Sequence, residues 1–193
     1  MGFQIAAFAI MLAFYGCYFA KMVAQRRKGI RTDQMGRGKT GFVQMIEVSL
    51  KAVSWTVPVA QVMCILFAAP PFPAPVRIVG ACVGFAGVAL FILSVVTMRD
   101  NWRAGVAREE KTELVTSGVY RFSRNPAFLA FDMIYFGILL MFFRWSLFAI
   151  SCLAALLFHL QIVNVEEDHL VAAFGEEYLR YKGTVGRYWG RKK

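Results

Sequence analysis

"FQIAAFAIMLAFYGCYFA", residues 3–20, runs for eighteen residues without a charge. An α-helix rises about 1.5 Å per residue, so about 20 such residues cross the ~30 Å hydrocarbon core of a bilayer. Four further apolar runs follow, at 45–69, 76–98, 127–143 and 145–165. In lipid a helix satisfies its own backbone hydrogen bonds, so runs of this length predict helices. With 58% hydrophobic and 18% charged residues, the chain is too apolar for an ordinary soluble domain. The expected fold is an all-α integral membrane protein with five transmembrane helices. The first run has no basic segment before it, and "AKMVAQRRK" after it resembles a stop-transfer flank, so it is taken as a span rather than a signal peptide.

The net charge of +10 is unevenly placed. Arg26, Arg27, Lys28, Arg31, Arg37 and Lys39 lie between the first two runs, and Arg99, Arg103, Arg108, Lys111, Arg121 and Arg124 between the third and fourth. Arg180, Lys182, Arg187, Arg191, Lys192 and Lys193 follow the fifth, whereas the other two connections hold only Arg77 and Arg144. Under the positive-inside rule, five spans with the N-terminus outside and the C-terminus cytoplasmic put every basic segment on one side. The basicity then serves topology and attraction to lipid surfaces, and nucleic acid is not an expected partner. Cys17, Cys64, Cys82 and Cys152 fall inside the apolar runs with no C-x-x-C spacing, and the two histidines form no ligand cluster. Neither disulfides nor a metal are expected.

The chain divides into an N-terminal three-helix region, 1–98, and a region 99–193 with two polar segments flanking a helix hairpin, 127–165. "FRW" at 143–145 is tight enough to force that hairpin antiparallel. The glycine-rich "GRGKTG" at 36–41 lacks the earlier glycine and preceding strand of a phosphate loop, and reads as a solvated connection. Glu47 and Lys51, four apart, read as an intrahelical pair or as snorkelling side chains. Leu170, Phe174, Tyr178 and Tyr181 recur at helical spacing and make a C-terminal amphipathic helix, which Gly175 interrupts at modest cost. His159 and Asp132 are ionisable residues inside apolar runs, where a structural hydrogen bond and a functional role compete.

The approach to the fourth run is "SGVYRFSRNPAFLAF", 117–131. Pro126 suits the first turn of a helix and Asn125 its N-cap. The free N–H groups there, beside Arg121 and Arg124, would make an anion site for a ligand or for lipid phosphate.

"SGVYRFSRNPAF" resembles the G-[IV]-Y-x3-R-H-P-x-Y signature of the isoprenylcysteine carboxyl methyltransferase family, within a wider group that includes phospholipid methyltransferases. "VEEDHLVAAFGEEYLRYKGTVGR" resembles that family's second signature: an E-E pair, F-G-x-E-Y-x-x-Y and a downstream arginine. The two occur in order over about 101–188, roughly half the chain. The resemblance implies a membrane methyltransferase that uses S-adenosylmethionine and yields S-adenosylhomocysteine, with the C-terminal helix closing a cofactor pocket at the membrane interface. Carried over by position, it implies cofactor-binding roles for Tyr120, Arg124, Asn125, Pro126, Phe128, Glu166 and Glu167, and catalytic roles for Arg124, Glu167 and Arg187. Two positions depart from the pattern: Asn125 stands for the histidine and Phe128 for the tyrosine. Asparagine keeps hydrogen bonding but carries no proton near neutral pH, and phenylalanine loses a hydroxyl.

Methyl transfer from a sulfonium is an in-line displacement that needs alignment and desolvation. A carboxylate acceptor requires no general base, and Arg124 or Arg187 can hold it. An amine or thiol must lose a proton, for which Glu166, Glu167 and His169 are nearby. The expected acceptor is lipophilic and enters from the bilayer, with an isoprenylcysteine-type carboxylate first and a lipid amine or small thiol as alternatives. A non-catalytic membrane protein that binds lipids or partners is the rival class.

Overall fold

A computed structural model describes residues 1–191 apart from 37, 68, 70 and 107–111. Arg37, Arg108, Lys111, Lys192 and Lys193 lie outside the described residues. The chain forms α1 (Gly2–Arg27), α2 (Gly41–Phe67), α3 (Ala74–Met98), α4 (Pro126–Met141), α5 (Trp145–Gln161) and α6 (Glu167–Thr184). Short 3-10 turns occupy Arg99–Asn101 and Gly118–Arg121, and a π turn, Ile162–Glu166, joins α5 to α6. Among the described residues there is no strand, only isolated bridges of Asp33 with Ala104 and Val185 with Arg191.

Among the described residues, four helices are long and apolar enough to cross a membrane: Gly2–Arg27, Gly41–Phe67, Ala74–Asn101 and the continuous run Trp145–Thr184. The apolar part of that last run is α5. Residues 167–184 carry Glu167, Asp168, Glu176, Glu177, Arg180 and Lys182, a polarity that belongs outside hydrocarbon. The fourth apolar run forms a shorter helix than its sequence suggests. α4 has 16 residues, about 24 Å, because Pro126 starts it and the chain leaves helical geometry at Phe142 to enter the turn before α5.

Packing is tightest between α3 and α4, where backbone meets backbone. A Cβ added to Gly137 would lie 2.7 Å from both Gly80 O and Gly84 N. Between membrane helices the hydrophobic effect supplies little, so small residues that permit such approach carry the association. Around them Phe14, Phe91 and Phe131 from α1, α3 and α4 meet edge to face, with centroids 4.7 and 4.9 Å from Phe14. At the end away from the basic loops, Arg77 Nε donates to Met141 O at 3.0 Å, closing the C-terminus of α4, and its guanidinium sits 4.0 Å over the Phe3 ring.

The glycine-rich connection between α1 and α2 is folded, contrary to its reading as a solvated loop. Gln34 N donates to Ala104 O and Ala104 N to Thr32 O, at 2.9 and 3.0 Å. Gln25 Nε2 donates to Trp102 O at 2.8 Å and Thr32 Oγ1 to Gln25 Oε1 at 2.7 Å. Backbone amides facing the bundle must find partners, and here two basic connections supply each other's. Glu47 and Lys51 do not pair. Lys51 reaches Asp33 at 2.5 Å, and buried Glu47 forms an ion pair with Lys39.

Candidate functional site

At the basic end of the bundle, a cavity of about 470 Å³ lies beneath α6 and among the helix ends. Leu170, Phe174, Tyr178 and Tyr181, the C-terminal stripe, all line it. They can do so because α6 bends: Gly175 takes φ +49°, a conformation that costs glycine little. From the motif before α4 come Tyr120, Arg124, Asn125 and Phe128, and from the π turn Glu166. Much of the remaining lining is aromatic, with Phe14, Tyr18, Trp55 and Phe131 among it. Pro126, Glu167 and Arg187 stand outside this lining.

Glu167 is a pivot. Its Oε1 accepts from Arg187 Nε at 2.6 Å and forms an ion pair with Arg124 Nη1 at 3.1 Å; its Oε2 accepts from Lys182 Nζ at 2.7 Å and from Arg187 Nη2 at 3.3 Å. Burial alone would raise this carboxyl. The hydrogen bonds from Arg187 and Lys182 and the charge of Arg124 override burial and hold it down at about 2. Reciprocally, the Glu167 contact pushes Arg187 further up from its already high value.

Arg124 carries the link between the two motifs. Its Nε donates to Val185 O at 3.1 Å, its Nη1 to Tyr178 Oη at 2.7 Å, and its backbone N to Gly186 O at 3.0 Å. A planar guanidinium serves several acceptors at fixed angles, which an ammonium does not. Tyr181 Oη adds a 2.6 Å bond to Tyr120 O. Tyr120 is 6% exposed, and burial holds its phenol well above the ordinary range.

Asn125 occupies the N-cap position of α4, but its side chain does not cap the helix. Its Nδ2 donates to Arg187 O at 3.1 Å, so it fastens the C-terminal segment instead. The first N–H groups of α4, at the cavity-lining residues Ala127 and Phe128, have no helical acceptor, as in any first turn. His159 takes the structural reading: Nδ1 lies 2.6 Å from Tyr188 Oη with the rings stacked. Asp132 Oδ1 is buried without a partner among the described residues, away from the cavity lining.

Lys182, Tyr178 and the carbonyls of Val185 and Gly186 were not singled out for these contacts from sequence. The only trace of Lys182 is a basic residue fifteen positions after Glu167, a spacing that means nothing until α6 bends.

Residues 76–177, just over half of the chain, match the phospholipid methyltransferase family. The protein-S-isoprenylcysteine O-methyltransferase of Tribolium castaneum is 27% identical over 110 residues, 56% of this chain and 39% of that protein. The protein of the same name from Saccharomyces cerevisiae is 33% identical over 79 residues, 41% of this chain and 33% of its own length. The matched part of the chain thus spans between a third and two-fifths of these relatives. The family match takes in α3, α4, α5 and the bend of α6, the elements that build the cavity's basic end, and on it the chain belongs to the phospholipid methyltransferase family.

Proposed function

We propose that this chain is a membrane methyltransferase that binds S-adenosylmethionine in the cavity beneath α6 and methylates a lipophilic acceptor, first of all the carboxylate of an S-isoprenylated cysteine. The observation that supports it is one cavity with a polar, doubly motif-built wall and an aromatic lining supplied by α1, α2 and α4. Bound there, the cofactor supplies an activated methyl group on a sulfonium. The residues present suit it. Glu166 offers a carboxylate to an ammonium, the first turn of α4 offers free N–H groups to a carboxylate, and Tyr120, Phe128, Tyr178 and Tyr181 offer ring faces to a cation. A volume of about 470 Å³ is in the range of small-molecule sites, roughly 300–1,000 Å³.

In this reading Arg124 is the catalytic residue. Its Nε and Nη1 are committed, and Nη2 is the group assigned to orient an acceptor carboxylate. Glu167 and Arg187 hold Arg124 and the C-terminal segment in place. Asn125 and Phe128 offer no titratable group, which is compatible with a carboxylate acceptor that needs no proton removed. The two homologues named for isoprenylcysteine O-methylation agree with that choice. The topology we assign has five spans, with α4 as a short one, an outer N-terminus and a cytoplasmic C-terminus. A 24 Å helix beside a 30 Å core leaves its start recessed, so the cavity opens at interface depth where cofactor and lipid both reach it.

The test is calorimetric titration of S-adenosylhomocysteine into detergent-solubilised protein, followed by methyl transfer to N-acetyl-S-farnesylcysteine and to phosphatidylethanolamine. Saturable binding weakened by Glu166→Gln, with label appearing on the farnesylcysteine, is the expected result. A folded wild type that binds nothing ends the methyltransferase reading.

A further inference from the structure

One buried polar chain connects the π turn beside this cavity to the loop between α1 and α2. Lys39, in the glycine-rich segment, is 4% exposed, and Glu47 near the start of α2 is fully buried. Glu47 Oε1 takes an ion pair from Lys39 and a 3.2 Å hydrogen bond from Gln161 Nε2, and its Oε2 accepts from Gly36 N at 2.6 Å. Gln161, itself 1% exposed, is the last residue of α5 before the π turn. Glu166, the carboxylate that lines the cavity, is the last residue of that turn.

Stability does not account for this arrangement. Removing two charges from water costs about as much as their attraction returns, and apolar replacement of a buried pair is often neutral or favourable. A π turn, by contrast, needs a cause, because it is rare and is found frequently at functional sites. Here it separates two adjacent carboxylates: Glu166 faces the cavity, while Glu167 faces Arg124, Arg187 and Lys182. Gln161, anchored by Glu47, fixes the residue from which that turn begins. Lys39 and Glu47 also lie before residue 76, where the family match starts.

We propose that Lys39 and Glu47 are positioning residues of the cavity: through Gln161 they hold the π turn and aim Glu166 into the site. The N-terminal loop thereby sets the cofactor affinity of a site whose motif-built wall comes from the other half of the chain. The proposal rests on the cofactor reading above, and the experiment separates the two.

Lys39→Met, Glu47→Leu, the double variant and Gln161→Met are purified as full chains in detergent, and each is measured for thermal unfolding and for S-adenosylhomocysteine affinity. Each charge-removing single variant leaves its partner buried alone and unfolds at lower temperature. The double variant recovers the wild-type unfolding temperature yet binds about tenfold more weakly, the loss of one charged hydrogen bond's worth of alignment. Gln161→Met, which keeps the ion pair, shows the same weakening, and it reads the link should the double variant fold poorly. Recovery of both stability and affinity in the double variant, or wild-type affinity in Gln161→Met, overturns the proposal and leaves a purely structural pair. A wild type without affinity overturns the cofactor reading, and this proposal with it.

Discussion

Replacing Glu167 by Gln removes the charge on which three cations converge, and its cost can be worked from the contacts. Arg124 is 3% exposed in its side chain and cannot turn to water, so losing its ion-pair partner 3.1 Å away costs about 1.5–3 kcal/mol. Arg187 and Lys182 are 32% and 36% exposed, rehydrate readily, and count for about 0.2–1 kcal/mol each. The total is about 3 kcal/mol. A carboxyl held at about 2 instead of 4.5 corresponds to the same order of energy. For a chain of 193 residues this lowers the unfolding temperature by about 6–12 °C.

The pH dependence has a definite sign. The folded-state pKa is lowered, so the stabilisation is fully present above about 4.5 and is lost as pH falls toward about 2. Thermal unfolding of wild type and Glu167→Gln in the same detergent should therefore differ by a constant gap from pH 7 to 5, narrowing only below that. A gap under about 2 °C at pH 7, or one that closes between pH 7 and 5, refutes the assignment of Glu167 as an ionised pivot.

Two further substitutions test the frame. Gly137→Leu places side-chain atoms where backbone of α3 stands 2.7 Å from the Cβ position, so the helices must part and folded protein should be lost from the monodisperse peak on size-exclusion chromatography. Gly183→Ala, with open space around it, is the neutral control. Gly175→Ala meets no atom within 4 Å but forces φ +49° on a residue with a Cβ, at about 1–3 kcal/mol. Unchanged thermal stability in that variant would mean that α6 straightens without loss and that its bend is not required.

Much of the candidate site is legible in the sequence, for reasons that differ by residue. Tyr120, Arg124, Asn125, Phe128 and Glu166 stand in two contiguous motifs, and contiguity survives folding. The stripe of Leu170, Phe174, Tyr178 and Tyr181 follows from helical periodicity, although the bend that lets all four face one cavity does not. The α3–α4 approach leaves a trace in the G-x-x-x-G spacing of Gly80 and Gly84. The partners of Glu47 are illegible. A carboxylate four residues before a lysine on one helix invites local pairing, and only tertiary contact reveals that Lys39 and Gln161 share it, the latter 114 residues away.

Sequence alone determined that this chain is helical and built for a membrane, because uninterrupted apolar length is a local property and lipid leaves the backbone few solutions. It also singled out the two motifs whose residues meet at the cavity. The tertiary structure decided how the charges are shared. Glu166 and Glu167 are adjacent and chemically identical, yet one lines the cavity and the other is neutralised by three cations, because the π turn and the surrounding helices give each a different neighbourhood. Electrostatic roles depend on what lies within a few ångströms in space, and a one-dimensional spacing does not carry that distance.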